Sequence, residues 1–179
     1  MPKSDRNGQA EIWTADQLEA VMAELAPNMR ALFSICRYTG CRISEARQLR
    51  AEDLVNDVVV FRKRTTKGEA ETREVAMHPK LRTVLREASL PVAGYLFAGR
   101  KGQPITRQAA DKALRLACDR LGFTGFSTHS FRRTALTRLS DAGVPLRVVQ
   151  EISGHRSLDV LRRYLEVKPE QIEDAISML

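Results

Sequence analysis

The sequence predicts an α+β chain, mainly α-helical with a small antiparallel β-sheet. Three observations carry this reading. Apolar residues recur at helical spacing along most of the chain, two short β-branched runs interrupt that spacing, and a polar stretch containing Gly68 joins the two runs. With 179 residues, 43% of them hydrophobic, the chain is long enough to bury one substantial core. Residues 1–11 read as a polar tail and 12–179 as the domain.

Taken in order, Thr14 followed by Gln17 is a capping-box pattern that leads into Leu18, Val21, Met22 and Leu25, the stripe of a first helix. Pro27 breaks it. Met29, Leu32, Phe33 and Ile35 mark a second helix that stops near Gly40, with Tyr38 beside the stripe as a core aromatic. Arg42 then starts a turn, and Glu45, three residues on, offers a carboxylate that can hold the guanidinium in one orientation. Standing alone, that pair reads as a surface salt bridge.

From Leu54 the pattern changes to β, with one run at Val58–Phe61 and another at 72–77. The intervening RKRTTKGEAE reads as a hairpin tip from which Lys67 projects; Lys63 lies in the same hairpin. Pro79–Glu87 reads as a short helix and Leu96-Phe97 as a brief extended piece. A helix follows over about 106–121, with Ala109, Ala113, Leu116 and Ala117 among its apolar positions. Its basic residues Arg107, Lys112, Arg115 and Arg120 face DNA or water, and the sequence leaves both open.

The next helix takes Thr128 as its candidate N-cap and ends at Gly143, and Pro145 can open another. Near the end of the chain Pro169 interrupts, and QIEDAISML can form a short amphipathic helix with Ile172, Ala175, Ile176 and Leu179 on one side.

Lysine and arginine number 29 against 22 acidic residues, giving net charge +7 and pI near 9.7, so the surface field attracts polyanions. Cys36, Cys41 and Cys118 lack the paired spacing of a zinc site and read as reduced core residues. The opening MPKSDRNGQA contains no apolar run of signal-peptide type, and no segment approaches transmembrane length. These features predict a cytoplasmic protein without a membrane partner.

The chemistry concentrates between residues 128 and 167. His129 and Arg132 share one helix face, and His155 is followed nine positions later by Tyr164. Two imidazoles, a guanidinium and a phenol on short, turn-linked helices can fold toward one point, and such a cluster suits a phosphate. Arg42 and Arg132 can donate to its two non-bridging oxygens, and His155 can add a third donor. Tyr164 can attack as a nucleophile if its phenol, with an ordinary pKa of about 10, loses its proton. His129 is the candidate base or proton relay, and Lys67 standing alone reads as a solvated lysine. Positioning and electrostatics can drive such a transfer, and no metal or cofactor is expected.

Three strings carry a family resemblance. TGCRISEARQL resembles the first-arginine box of the tyrosine recombinases, the phage integrase family; THSFRR resembles its His-x-x-Arg box; and SGHRSLDVLRRYLEV is similar to its final box, with Gly-His and then the tyrosine. The resemblance implies the catalytic-domain fold of that family and assigns Arg42, Lys67, His129, Arg132, His155 and the nucleophile Tyr164 to the active site, with Glu45 in support. It implies strand cleavage and rejoining through a 3′-phosphotyrosyl link, without metal or ATP.

The implied partner is double-stranded DNA. The implied assembly is a homo-tetramer on paired DNA sites, from a chain that is a monomer or weak oligomer when free. Arg133 stands where many members have a second histidine. Members also carry a helical domain before the catalytic one, which implies either a fragment or a short stand-alone recombinase. Two other readings stay open: a non-catalytic DNA-binding protein of helix-turn-helix outline, and a related type IB topoisomerase or telomere resolvase.

Overall fold

In a computed structural model, the structure describes residues 10–62, 72–162 and 169–178. Lys67 in the hairpin tip and Tyr164 near the end of the chain therefore lie outside the described residues, as does Lys63. Helices α1 (Ala15–Glu24) and α2 (Pro27–Thr39) begin as their caps predict. Thr14 and Gln17 exchange side-chain to backbone bonds at the start of α1, and Pro27 occupies the first position of α2, where a missing N–H costs nothing. α2 is buried almost all round and packs on later helices, so it forms the centre of the domain. Gly40 ends it in the left-handed conformation at φ +63°, and α3 (Ile43–Ala46) follows after a turn of two residues.

The small sheet has three antiparallel strands in sequence order, β1 (Leu54–Val55), β2 (Val58–Phe61) and β3 (Arg73–Ala76). Val55 pairs with Val58 across a two-residue turn in which Asn56 and Asp57 both have positive φ, the conformation that matches the natural twist of a hairpin. Phe61 pairs with Arg73 at the other end, where the hairpin tip departs. Along β3 the buried positions are Arg73 and Val75, so an arginine occupies the inward face.

Helices α4 (Pro79–Glu87), α5 (Arg107–Arg120), α6 (Thr128–Asp141), α7 (Leu146–Ser153), α8 (Leu158–Arg162) and α9 (Pro169–Ser177) complete the described residues. α2 packs against α6 on one side and α4 on another. Trp13 lies over Phe126 with ring centroids 3.6 Å apart, and its backbone N–H donates to Thr134 on α6 at 2.9 Å. Arg133 donates to the Ala10 carbonyl, so residues on either side of residue 11 pack on α6. A smaller apolar cluster of Leu136, Val149 and Leu161 joins α6, α7 and α8.

Three local expectations change. Leu96-Phe97 is a turn between the bridges Arg50 to Tyr95 and Ala98 to Pro104, not an extended piece, because Leu96 donates to the Leu49 carbonyl on one side and the Phe97 carbonyl accepts from Ile105 on the other. α5 buries Ala110, Leu114, Ala117 and Cys118, while Leu116 is exposed and Ala113 only half-buried, so the inward face is rotated by one position from the apolar residues first chosen. α6 is capped by Ser127, not Thr128: the Ser127 hydroxyl accepts from the His129 N–H at 3.3 Å and Thr128 is the first helical residue. All three cysteines are buried free thiols, as expected. Among the described residues no helix is long and apolar enough to cross a membrane.

Candidate active site

The site forms where the ends of four elements meet. Gly40 turns the chain sharply out of α2, so Arg42 enters α3 from an extended conformation. The Glu45 carboxylate reaches back to accept the Arg42 backbone N–H at 2.6 Å, which satisfies a donor at the helix start and fixes the carboxylate below the turn. With 1% of its side chain exposed, Glu45 is inside the protein, so the sequence reading of a surface salt bridge is corrected to a buried one.

Three guanidinium groups surround that carboxylate. Arg42 Nη1 lies 3.8 Å from Oε2, Arg132 Nη1 lies 3.9 Å from the same oxygen, and Arg73 Nη2 lies 3.4 Å from Oε1. Arg132 is 1% exposed and Arg73 9%, whereas Arg42 is 30% exposed and forms the solvent side of the cluster. Among the described residues three positive charges stand against this one carboxylate, and a low-dielectric setting that concentrates positive charge favours an anionic ligand.

Arg132 is held by α6 one turn after His129. Its Nη1 donates to the carbonyls of Gly40 at 2.7 Å and Ser153 at 3.0 Å, and its Nη2 lies 2.9 Å from His155 Nε2. His155 follows Gly154, which ends α7 in the left-handed conformation at φ +65°, and its carbonyl accepts from the Gln150 side chain at 2.9 Å. Ser153 Oγ sits 2.7 Å from His155 Nδ1.

Burial, and then the charges of Arg132, Arg42 and Arg73, push the His155 imidazole down to a pKa of about 3. The ring is therefore neutral near pH 7. Its partners assign the tautomer, with Nε2 accepting from Arg132 and the proton on Nδ1 facing Ser153.

His129 occupies the first turn of α6 and is half-buried, with Nε2 3.3 Å from Arg107 Nη2 at the start of α5. Of the other basic residues on α5, Arg115 pairs with Asp111 and Arg120 with Glu24, so those two are committed to protein carboxylates. The structure thus brings Arg42, Glu45, Arg132 and His155 into one cluster, with His129 on the same helix as Arg132. Lys67 and Tyr164 lie outside the described residues.

The sequence reading missed Arg73 and Ser153, and left Arg107 open between DNA and water where the structure sets it beside His129. A signal existed for Arg73, which is in phase with Val75 on the inward face of its strand, and an inward charge on a short strand implies a buried partner. Ser153 left no such signal. A cleft of about 510 Å³ opens beside the cluster, with Arg73, Gln150, His155 and Arg156 among its lining residues.

The Phage integrase family model matches residues 11–171. A tyrosine recombinase XerC of Halalkalibacterium halodurans is 29% identical over 161 residues, covering 81% of this chain and 52% of that protein. The chain thus spans about half the length of this curated relative. The Tn1549 transposon integrase in complex with transposon right end DNA superposes with a TM-score of 0.81 at 17% identity, over 98% of this chain and 68% of the integrase chain. The catalytic domain of bacteriophage HP1 integrase gives 0.71 at 22% identity, over 94% of this chain and 95% of that domain. At these identities the structural matches show a shared fold.

The depressed imidazole predicts a pH effect. An unfolded histidine titrates near 6.5, so as pH falls below that value the unfolded chain takes up a proton that folded His155 refuses until about pH 3. Its contribution to stability is complete above the unfolded pKa and is lost as the pH falls toward the folded one. Urea unfolding at about pH 7.5 and about pH 5.5 should show the parent losing about 1 kcal/mol more than His155→Gln between the two conditions. Equal losses would contradict the assignment.

Proposed function

The chain belongs to the phage integrase family, and from that premise we propose that the Glu45 cluster is the phosphate-binding part of a site that cleaves and rejoins DNA strands. The observation that best supports this is the meeting of Arg42 and Arg132 on a single oxygen of Glu45. Two guanidinium forks held side by side suit the two non-bridging oxygens of one phosphodiester, where charge grows as a fifth ligand adds to phosphorus. The net charge of +7 suits a duplex DNA partner.

Arg132 can take up the phosphate by exchanging partners. Its Nη2 faces neutral His155, and an anionic oxygen is a stronger acceptor than a neutral imidazole nitrogen. Release of that contact frees Nε2, and moving the ring proton from Nδ1 to Nε2 lets the imidazole donate to the same phosphate. Glu45 supports the pair by fixing the Arg42 backbone and neutralising part of the charge when no substrate is bound.

Tyr164 is the proposed nucleophile on its nine-residue spacing from His155, with His129 taking or relaying its proton and Lys67 protonating the departing 5′-oxygen. The bond that forms joins the Tyr164 phenolic oxygen to a 3′-phosphate, and the bond that breaks releases a 5′-hydroxyl. Because one phosphodiester replaces another, a second 5′-hydroxyl can reverse the step on a different strand without ATP. The guanidinium groups supply the charge that a metal would otherwise carry. This is the chemistry of a site-specific recombinase working in the cytoplasm, where its DNA lies.

The proposed working assembly is a tetramer on paired duplexes, joined through the C-terminal helix. α9 leaves Ile172 56% and Ile176 64% exposed, an apolar face that an adjacent protomer can cover. Removing residues 169–179 should weaken assembly on DNA in gel-shift and sedimentation assays while single-strand cleavage stays detectable. An unchanged tetramer would refute the role of α9.

A nicked duplex whose short 5′ fragment diffuses away after cleavage tests the central reading. The parent protein should form a covalent adduct visible on a denaturing gel, and Tyr164→Phe should abolish the adduct while binding the duplex equally well. Binding without adduct in the parent would instead support a non-catalytic DNA-binding protein.

A further inference from the structure

Arg73 is a charged residue at the centre of the cluster that no step of the proposed reaction uses. It starts β3, where it pairs with Phe61 across the sheet, and its guanidinium carbon lies 4.5 Å from the centre of the Phe61 ring. From there it reaches two groups that Arg132 also holds. Its Nη1 donates to the Ser153 carbonyl at 3.1 Å, and Arg132 Nη1 donates to the same carbonyl at 3.0 Å. Its Nη2 faces Glu45 Oε1, while Arg132 faces Oε2.

Arg73 and Arg132 therefore hold one carbonyl and one carboxylate between them, from opposite elements. The orientation of Arg132 depends in part on where those two acceptors sit, and Arg73 touches both.

On the strand-cleavage reading above, we propose that Arg73 is a positioning residue for that reaction: it locks the Glu45 carboxylate and the Ser153 carbonyl in place, and through them aims Arg132 and the His155 turn at the scissile phosphate. The same contacts join the sheet to the phosphate-binding helices, because Arg73 on β3 reaches the end of α7 and the carboxylate on α3. A guanidinium is suited to this task because its planar fork reaches two acceptors in fixed directions while its face rests on the Phe61 ring. A lysine can serve one acceptor at a time, and an apolar side chain neither.

A buried arginine that merely stabilised the fold would, when replaced, lower stability by leaving buried Glu45 one cation short, but would leave the rate of the chemistry intact in the folded protein. Arg73→Met makes that comparison, since methionine keeps contact with Phe61 and removes both donors. Cleavage of the nicked duplex should fall about 100-fold in rate at saturating DNA, the loss expected from a misplacement of about 1 Å at the reacting groups, with duplex affinity close to the parent's at a temperature where both proteins are folded. Arg73→Lys should recover only part of the rate.

Parent-like cleavage in Arg73→Met, or loss of affinity and rate by the same factor, would overturn the proposal. An NMR titration of the His155 ring provides a readout independent of cleavage. If Arg73 holds the Ser153 turn against the ring, the imidazole pKa should move in Arg73→Lys, which keeps the positive charge but reaches one acceptor at a time, with the remaining spectrum unchanged. If the parent forms no adduct, the strand-cleavage reading fails, and this titration still decides whether Arg73 positions the His155 turn: an unmoved pKa overturns it.

Discussion

Taking a carboxylate out of water costs several kcal/mol unless cations replace the lost hydration, and Glu45 meets that condition with arginines from three separate parts of the chain. Arg42 comes from the turn after α2, Arg73 from β3 and Arg132 from α6. Each partner brings its own element to the carboxylate, so a single buried charge joins the first helices, the sheet and the later helices. The backbone supports the same point. Gly40 and Ser153 offer carbonyls to Arg132, and both sit where a helix ends, so the orphan acceptors of two helix termini become ligands of the central arginine.

Such a cluster is poorly designed for stability alone, because apolar groups of similar volume could replace a buried ion pair at little loss. Its excess of positive charge makes sense for binding an anion. Neutral His155 fits the same logic, since a charged imidazole among three guanidinium groups would add repulsion, and burial and the arginines together keep the proton off. The Arg132 contact to neutral His155 is thus one that a phosphate can displace.

Much of this was legible in the sequence because short, local rules govern it. The Thr14 and Gln17 cap, the stop at Gly40, the two paired strands and the Gly154 turn before His155 all depend on residues within a few positions of one another. Arg42, His129, Arg132 and His155 stood out because the motifs that carry them are local too. Arg73 was missed because its partners, Glu45 and Ser153, are remote in the chain, and only tertiary packing brings them together. The α5 face was misjudged for a related reason: an alanine-rich helix has several nearly equal apolar stripes, and the neighbouring helices choose among them. Ser127 replaced Thr128 as the cap because both hydroxyls can accept from the first turn, and a one-residue shift at a helix end depends on the incoming loop.

The claim on which the rest depends is that Arg42 and Arg132 serve one phosphate as a unit organised by Glu45. A double-mutant cycle on the cleavage rate of the nicked duplex tests it most directly, using Arg42→Ala, Arg132→Ala and the two together. Groups acting as a unit on one transition state are strongly non-additive, so the double variant should be little slower than the slower single one. Losses that multiply, as for independent sites, would contradict it.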